Sequence, residues 1–352
     1  MNITITGTGS YIPETAVPNS DFLSHAFVDA NGMAIAAPNT EIISKFEAIT
    51  GIKERRYANV EQKASDLGYL AAENAIADAN INKESIDYII YAHNFGDLAP
   101  GKPQGDVLPS LASRVKHLLQ IQNPNCVAFD LIFGCPGWLE AMIQAKALIA
   151  SGMANTCLLI GGETLSRVVD TYDRDSMIFA DGAGATILQK DGGNGSILAH
   201  ATQTYANDEA YFLYFDSSYE SSAKNEQQYI KMHGRKVYEF ACIKVPKAMK
   251  ACLDKSDVAI DEVKKIFIHQ ANEKMDEAII KRFYKQYNMP VPDGIMPMNI
   301  QQLGNSSVAT IPTLLDMVRK GQLENHALQE GDVILFASVG AGMNINAMLY
   351  KV

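Results

Sequence analysis

Short apolar runs alternate along the chain with longer stretches in which apolar residues recur at helical spacing. The runs are rich in Ile, Val and Leu, which is typical of strands buried on both faces. We predict strands at Ile3–Thr8, Asp87–His93, Cys126–Phe129, Thr156–Gly161, Ala185–Gln189, Lys265–His269, Val333–Ala337 and Asn344–Tyr350. We predict helices at Glu61–Ala79, Val107–Leu119, Gly137–Ala150, Gly234–Leu253, Glu273–Tyr287 and Ser306–Arg319. The alternation predicts an α/β fold in which sheets lie between layers of helices.

Two segments interrupt this alternation, residues 24–49 and residues 95–108. Both are rich in Gly, Pro, Asn and Asp, and we predict that both are irregular. Irregular segments of that length in a compact domain usually serve a function.

The chain also repeats a set of short motifs in the same order. GCP at 134–136 and GNS at 304–306 each open a predicted helix, and an apolar, glycine-containing strand follows each helix. The repetition predicts two duplicated halves, with Cys135 and Asn305 in equivalent places at helix N-termini. The N-terminal half would span residues 1–190 and the C-terminal half residues 191–352.

The composition narrows the classes of function. With 47% hydrophobic and 20% charged residues, the chain has an ordinary globular composition, and its net charge of −10 argues against nucleic acid or an anionic membrane as its main partner. Five cysteines without CxxC spacing predict a reducing compartment, no disulfides and no zinc site. We see no basic leader sequence and no apolar stretch of membrane-spanning length, so we predict a cytoplasmic protein.

One cysteine, Cys135, lies in a context that favours chemistry over packing. Gly134 permits a tight strand-to-helix elbow, and Pro136 fits a first helical turn. Free N–H groups and the dipole at a helix N-terminus stabilise a thiolate, so we expect a lowered pKa and a nucleophile at neutral pH. The alternative is a small buried apolar residue, which is our interpretation of the other four cysteines.

A nucleophilic cysteine needs partners, and two histidines are candidates. His93 and His269 each end a predicted strand, where active-site side chains emerge in α/β folds. His269 also opens the sequence HQAN, which an amphipathic helix follows. A structural role is the alternative for both.

Six motifs occur together and in order, and they carry a family resemblance. They are GTGSYIPE at 7–14, ITGIKERRYA at 49–58, a Gly-Cys elbow at 134–135, DRDSMIFADGAGATIL at 173–188, HQAN at 269–272 and LGNSSVATIP at 303–312. Over nearly the whole chain, this combination resembles the beta-ketoacyl-acyl-carrier-protein synthase III family of the thiolase superfamily. The resemblance implies a thiolase-like five-layer αβαβα fold built from two duplicated halves, and a homodimer.

The resemblance further implies a catalytic triad of Cys135, His269 and Asn305. Cys135 would accept an acyl group from a thioester, and His269 and Asn305 would hold the enolate oxygen formed when a malonyl-type thioester loses carbon dioxide. The backbone N–H groups of Cys135 and Ala341 would form an oxyanion hole. We expect no metal or redox cofactor, because thioesters of coenzyme A or an acyl carrier protein are the substrates.

A basic helix face is a candidate docking site for the carrier. Lys274, Lys281 and Lys285 fall within about 40° of one another on a helix, and Arg282 lies close by. The family uses the matching face for its acidic carrier, so we predict docking through Lys274, Lys281 and Arg282. An ordinary solvated face is the alternative.

The chain departs from the family at the coenzyme A site. Family members carry a Trp and an Arg before the TGI motif, where Lys45 and Ile49 stand here. Arg167 matches a second family arginine, and we predict that it binds coenzyme A. These departures argue against an acetyl-CoA starter, and the segments 24–49 and 95–108 indicate a tunnel remodelled for a longer or branched acyl group.

The resemblance therefore predicts an acyltransferase of fatty-acid or polyketide-like biosynthesis that condenses an acyl thioester with a malonyl-type or beta-ketoacyl thioester. One alternative is an enzyme of secondary metabolism that joins two acyl chains, as in dialkylresorcinol formation. Another is a non-decarboxylating acyltransferase or an acyl-binding scaffold of the same fold, against which Asn305 and the complete triad argue.

Overall fold

The computed structural model describes residues 2–102, 104–220, 222 and 227–352, and in it two main β-sheets alternate with layers of helices. The described strands are β1 Ile3–Tyr11, β2 Thr15–Pro18, β3 Glu54–Tyr57, β4 Tyr88–Ala92, β5 Val127–Leu131, β6 Thr156–Thr164, β7 Asp181–Lys190, β8 Ser196–Thr204, β9 Leu213–Asp216, β10 Tyr229–Met232, β11 Val263–Ile268, β12 Val333–Gly340 and β13 Asn344–Lys351. The described helices are α1 Asn39–Thr50, α2 Ala64–Ala79, α3 Leu111–Leu118, α4 Gly137–Ala150, α5 Gly234–Leu253, α6 Glu273–Lys285, α7 Ile300–Leu303 and α8 Thr310–Arg319.

The two main sheets are built from successive parts of the chain. The first has the order β1-β7-β6-β4-β5, with β4 parallel to β5 and β6, and β7 antiparallel to its neighbours. The second has the order β11-β12-β13-β8, with β11 parallel to β12 and β13 antiparallel to both of its neighbours. All strands of the first sheet lie within residues 3–190, and all strands of the second within residues 196–351.

The helices form three layers around these sheets. Helices α4 and α8 lie between the sheets, where residues such as Trp138 and Leu314 pack with Leu159 of the first sheet and Phe336 of the second. Helix α4 is apolar around most of its circumference, as a helix between two sheets must be. Helices α2 and α3 cover the outer face of the first sheet, and α5 and α6 that of the second. The predicted five-layer αβαβα arrangement is confirmed.

Close packing explains why the GTGS motif has glycine at positions 7 and 9. A Cβ on Gly7 would lie 2.5 Å from the carbonyl oxygen of Ala75, and one on Gly9 would lie 2.3 Å from that of Ala71. Strand β1 therefore packs directly against the backbone of α2.

Both ends of the chain join the core between the sheets. The N–H of Ile5 in β1 donates to the hydroxyl of Tyr350 in β13 over 2.9 Å. Both side chains belong to the apolar cluster that surrounds α4 and α8.

Several elements differ from the prediction. Strands β2, β3, β9 and β10 and helix α7 have no predicted counterpart, and α3, which we predict to begin at Val107, begins at Leu111. The segment 24–49, which we predict to be irregular, contains most of α1, a helix that begins after Pro38 and ends at Thr50, before Gly51. Strand β8 has no counterpart among the predicted strands. The predicted helix Ser306–Arg319 is regular only from Thr310, because residues 307–309 form a 3-10 turn.

Other expectations are confirmed. In residues 95–108, outside position 103, the structure has only an isolated bridge between Asp97 and Asp106 and no helix or longer strand. All five cysteines are free. None of the helices in the described part of the chain has the length and apolarity that a membrane crossing requires.

Candidate active site

The elbow between β5 and α4 holds Cys135. Gly134 has a φ of +71°, in the left-handed region that glycine enters without strain. A Cβ on Gly134 would lie 2.8 Å from the backbone nitrogen of Ala341, and one on Gly340 would lie 2.4 Å from that of Cys135. The turns 134–135 and 340–341 are therefore in direct backbone contact. This contact brings the N–H groups of Cys135 and Ala341 close together, as an oxyanion hole made from both requires.

A cavity of about 350 Å³ adjoins this elbow, and Cys135, Ser307 and Ala341 lie in its wall. Most of the remaining wall is apolar and comprises Phe95, Ile132, Phe133, Leu165, Phe179, Leu213, Phe215 and Ile230. The rings of Phe95 and Phe215 stack, with their centroids 4.8 Å apart. The cavity thus offers an aliphatic chain a place beside the Cys135 sulfur.

Burial dominates the acidity of Cys135. It raises the pKa of this thiol to about 11, although a hydrogen bond from Ser307 acts in the opposite direction. The predicted lowering of the Cys135 pKa is therefore wrong. The N-terminus of α4 lies inside the protein, where loss of water around a thiolate outweighs the favourable dipole. The thiol is protonated at neutral pH, and its activation needs a proton acceptor.

His269 is the candidate acceptor, because its imidazole is neutral, although burial also makes it a weak base. It lies at the end of β11, and burial lowers its pKa to about 4, so the imidazole is neutral at neutral pH. Its Nδ1 lies 2.7 Å from the hydroxyl oxygen of Thr310, and that hydroxyl lies 3.0 Å from the carbonyl oxygen of Ser307.

The Thr310 hydroxyl allows His269 two tautomers. When the hydroxyl donates to the Ser307 carbonyl, it accepts from Nδ1–H, and Nε2 is free to take a proton. When the hydroxyl turns to donate to Nδ1, Nε2 carries the proton and becomes a donor.

Asn305 presents its amide nitrogen as a donor. Its Oδ1 accepts a hydrogen bond from the N–H of Ser307 over 2.8 Å, which fixes the orientation of the amide and leaves Nδ2 as its donor. Its backbone is held between the carbonyl of Ile178 and the N–H of Ala180, at 3.0 and 2.9 Å.

Ser307 joins all three predicted triad residues. Its hydroxyl donates to the sulfur of Cys135 over 3.2 Å, its N–H donates to Asn305, and its carbonyl accepts from Thr310, which contacts His269. We did not predict a role for this serine, although it stands within the LGNSSVATIP motif.

The other residues of HQAN shape the turn that carries His269. Gln270 donates to the carbonyl of Pro297 over 2.9 Å and accepts from the N–H of Asn299 over 3.0 Å. The side chain of Asn272 accepts from the N–H of Met275 over 3.0 Å and caps α6.

His93, the second candidate histidine, has structural contacts. Its Nε2 lies 3.0 Å from the carboxylate of Asp130, and its Nδ1 accepts from the N–H of Gly96 over 3.0 Å. Asp130 in turn accepts from the first N–H groups of α3. His93 therefore connects the end of β4 to β5 and α3.

Arg167 joins the loop before α2 to the loop after β4 through hydrogen bonds. Its two terminal nitrogens donate to backbone carbonyls of Asn59, Val60, Gln62 and Leu98. Lys45 and Ile49 lie exposed on α1, and Lys45 pairs with Glu41 of the same helix. Coenzyme A binding by Arg167 stays a prediction, and the contacts give this residue a structural role as well.

The predicted docking residues lie on the exposed face of one helix, α6. Lys274 pairs with Glu277 at 3.3 Å, whereas Arg282 donates to the carbonyl of Cys242 in α5 over 2.8 Å. Lys281 and Lys285 are also exposed. No group of His, Cys, Asp or Glu side chains among the described residues is arranged to hold a metal ion.

Comparison with known proteins gives consistent matches over the whole chain. The family model "3-Oxoacyl-[acyl-carrier-protein (ACP)] synthase III" matches residues 129–206, and the model of its C-terminal part matches residues 253–352. The beta-ketoacyl-[acyl-carrier-protein] synthase III of Porphyra purpurea is 32% identical, over 100% of this chain and 99% of that protein. The enzyme of the same name from Staphylococcus aureus strain JH1 is 30% identical, over the same shares of both chains.

The fold agrees with these matches. The crystal structure of 3-oxoacyl-[acyl-carrier-protein] synthase III from Aquifex aeolicus VF5 superposes with a TM-score of 0.79 at 30% identity. The superposition covers 99% of this chain and 100% of that one. It confirms the predicted thiolase-like fold.

Proposed function

The chain belongs to the 3-oxoacyl-[acyl-carrier-protein] synthase III family, and we propose that it catalyses a decarboxylative Claisen condensation of an acyl thioester with a malonyl-type thioester. The observation that carries this proposal is the convergence of Cys135, His269 and Asn305 on Ser307, beside an apolar cavity.

In the first step, Cys135 takes up the acyl group. Nε2 of His269 accepts the thiol proton, and the sulfur attacks the thioester carbonyl carbon. The backbone N–H groups of Cys135 and Ala341 stabilise the oxyanion that forms. Its collapse breaks the carbon–sulfur bond of the donor, and the leaving thiolate takes the proton from His269. The acyl chain lies in the apolar cavity.

In the second step, a malonyl-type thioester loses carbon dioxide. The electron pair of the broken carbon–carbon bond passes to the thioester oxygen, where Nδ2 of Asn305 and Nε2–H of His269 donate to the enolate. His269 reaches this tautomer between the two steps, when Nε2 takes a proton from solvent and Nδ1 releases one. The enolate carbon attacks the acyl group, a carbon–carbon bond forms, and the Cys135 thiolate leaves and takes a proton from solvent. Neither a metal nor a redox cofactor takes part in this scheme.

The second thioester is carried by an acyl carrier protein that docks on α6. Support comes from the exposed positions of Lys274, Lys281 and Lys285 on a chain with a net charge of −10. A local basic face provides the attraction for an acidic partner that the protein as a whole lacks. The docking contact of Arg282 stays a prediction, as does the cytoplasmic location.

The active form is a homodimer paired through β5. This strand is at the edge of the first sheet, and exposed strand edges pair readily with another chain. Val127 at the start of β5 and Ile132 just after its end are 45% and 70% exposed, so a second copy would cover apolar surface. Sedimentation that shows a stable monomer at micromolar concentration would contradict this assignment.

Intact-mass measurement with a panel of acyl thioesters tests the function. Wild-type protein should gain the acyl mass, and then lose it on addition of a malonyl thioester, with release of carbon dioxide and a β-ketoacyl product. Turnover without carbon dioxide would indicate the non-decarboxylating acyltransferase, and absence of any adduct would indicate the scaffold. Discharge by a β-ketoacyl thioester but not by a malonyl thioester would indicate the enzyme that joins two acyl chains.

A further inference from the structure

The hydroxyl of Ser307 lies against the reacting sulfur. Its oxygen is 3.2 Å from Sγ of Cys135, and the Ser307 side chain is almost fully buried. A hydrogen bond to a thiolate is stronger than one to a thiol, so a donor at this position favours the ionised form. This interaction opposes the effect of burial on Cys135.

Asn94 determines which way the Ser307 hydroxyl points. Nδ2 of Asn94 lies 3.0 Å from the hydroxyl oxygen. An amide nitrogen only donates, so the serine oxygen accepts from Asn94 and its own proton is directed to Cys135.

Glu163 determines which way the Asn94 amide points. Oε1 of Glu163 accepts from the backbone N–H of Asn94 over 2.7 Å and from Nδ2 over 2.6 Å. If the amide were flipped, two acceptor oxygens would face each other. A single carboxylate oxygen thus fixes the amide, and through it the hydroxyl.

This arrangement does not depend on the ionisation of Glu163. Burial raises the pKa of Glu163 to about 7, while nearby His93 acts to lower it and Asp181 to raise it. Oε2 is buried and has no hydrogen-bond partner among the described residues, so it is the oxygen that carries the proton. Oε1 remains an acceptor for Asn94 in both states.

The backbone of Ser307 supports a role for the side chain. Its φ of +53° is uncommon for any residue but glycine, and glycine would adopt it without strain. The adjoining N–H and carbonyl contacts to Asn305 and Thr310 need only the backbone. A serine in this conformation therefore indicates that its hydroxyl has a role, because glycine would make the same backbone contacts without strain.

We propose that Ser307 is a further catalytic residue whose hydroxyl stabilises the Cys135 thiolate, and that Asn94 and Glu163 are positioning residues that keep this hydroxyl in its donating orientation. The inference rests on the proposed nucleophilic role of Cys135.

Alkylation of Cys135 by iodoacetamide tests the inference without any acyl substrate. The sulfur attacks the methylene carbon and iodide leaves, and intact mass with peptide mapping gives the rate at Cys135 as a function of pH. Ser307→Gly relieves the backbone strain and removes the hydroxyl. We expect alkylation at neutral pH to slow about tenfold, with the rate profile displaced to higher pH by about one unit.

Three further variants separate the explanations. Ser306→Ala removes the neighbouring hydroxyl, which is not part of the cavity wall, and should leave the profile in place. Asn94→Ala should move the profile in the same direction as Ser307→Gly, by a smaller amount, which keeps the test open if Ser307→Gly folds poorly. Glu163→Gln keeps an acceptor oxygen for Asn94, so it should displace the profile less than Asn94→Ala does, and an equal displacement would contradict the positioning role of Oε1.

A Ser307→Gly profile that superposes on that of wild type would overturn the inference, as would an equal displacement in Ser306→Ala. Failure of the proposed function gives a different result, because wild-type Cys135 would then take up no acyl group from any thioester while its alkylation profile still depended on Ser307.

Discussion

Arg282 and Cys242 are joined by a hydrogen bond that Pro246 makes necessary. Pro246 lies inside α5 and has no N–H, so the carbonyl of Cys242, four residues earlier, loses its helical partner. Nη1 of Arg282 in α6 donates to this carbonyl over 2.8 Å, and Gln286 donates to the carbonyl of Pro246 over 2.9 Å. Arg282 therefore fastens α6 to α5, and a change at this residue tests folding as well as docking.

Charge reversal at Lys281 and Lys285 is the sharper test of carrier docking. We expect Lys281→Glu with Lys285→Glu to slow turnover of carrier-bound substrate and to spare coenzyme A thioesters. The loss should be largest at low salt, because screening acts over only about 8 Å at physiological ionic strength. Steady-state rates at two salt concentrations measure it. Lys190→Glu makes the same charge change at the end of β7 and is the control. Equal loss with both substrates would refute docking on α6.

Cys135→Ala should abolish acyl transfer to the protein. The substitution removes the sulfur that the proposed mechanism acylates, and intact mass after incubation with an acyl thioester measures the result. Cys126→Ala removes a buried cysteine of the core and should still acquire the acyl group. An adduct on Cys135→Ala at the wild-type rate would exclude Cys135 as the nucleophile.

Asn305→Ala should separate the two steps of the reaction. Loss of one oxyanion donor typically costs about 100-fold to 1,000-fold, and Nδ2 of Asn305 acts only on the enolate in our scheme. Carbon dioxide release from a malonyl thioester should fall by that factor, while acylation of Cys135 continues. His269→Ala should impair both steps, because His269 also accepts the thiol proton. Normal decarboxylation in both variants would contradict their assignment.

Gly340→Ala should disable the elbow by steric overlap alone. The φ of Gly340 is −161°, which any residue adopts, but the added Cβ would lie 2.4 Å from the backbone nitrogen of Cys135. We expect acylation to fall by about 100-fold, the order of loss that a displacement of about 1 Å causes at a reacting centre. In Gly182→Ala the new Cβ would have ordinary contacts, the closest at 3.5 Å, so acylation should persist. Similar acylation rates in Gly340→Ala and Gly182→Ala would show that acylation does not depend on close contact between the turns 134–135 and 340–341.

Glu163→Gln should change the pH dependence of stability. The Glu163 pKa rises from 4.5 to about 7 on folding, so between these values the folded state binds more protons than the unfolded chain. Wild-type stability therefore falls as pH rises through this window, by at most roughly 3 kcal/mol. The glutamine variant lacks this loss, and its Tm relative to wild type should increase from pH 5 to pH 8. The exposed Glu61→Gln is the control, and a constant difference for Glu163→Gln would contradict the assignment.

Local signals in the sequence predicted the nucleophile elbow well. The bounds of α4, Gly137–Ala150, are those that the sequence predicts, because the glycine and proline that precede the helix act within a few residues. Helix α1 has comparable start and stop signals in Pro38 and Gly51. We did not predict it, because the residues before it have the composition of a loop. Strand β8 alternates buried and less buried positions over residues 196–201, yet two of its buried positions are Ala199 and Ala201, and alanine has low strand propensity.

The contacts around the sulfur were not accessible to such reasoning. Ser307 is 172 positions from Cys135, and Asn94 is 213 positions from Ser307. No motif spacing predicts which hydroxyl meets which sulfur after folding. The acidity of Cys135 likewise depends on how much protein surrounds it, and the sequence reveals only the nearby helix terminus.

The hydrogen bond between Ile5 and Tyr350 has a consequence for synthesis in the cell. Ile5 and Tyr350 are 345 positions apart, so the core around α4 and α8 cannot close until β13 has been synthesised and has left the ribosome. Until β13 emerges, the apolar faces of those helices lack part of their cover and are open to association with other nascent chains or to chaperones. Premature termination just before Asn344 would therefore leave a product prone to aggregation and proteolysis, although every residue of the proposed triad had already been made.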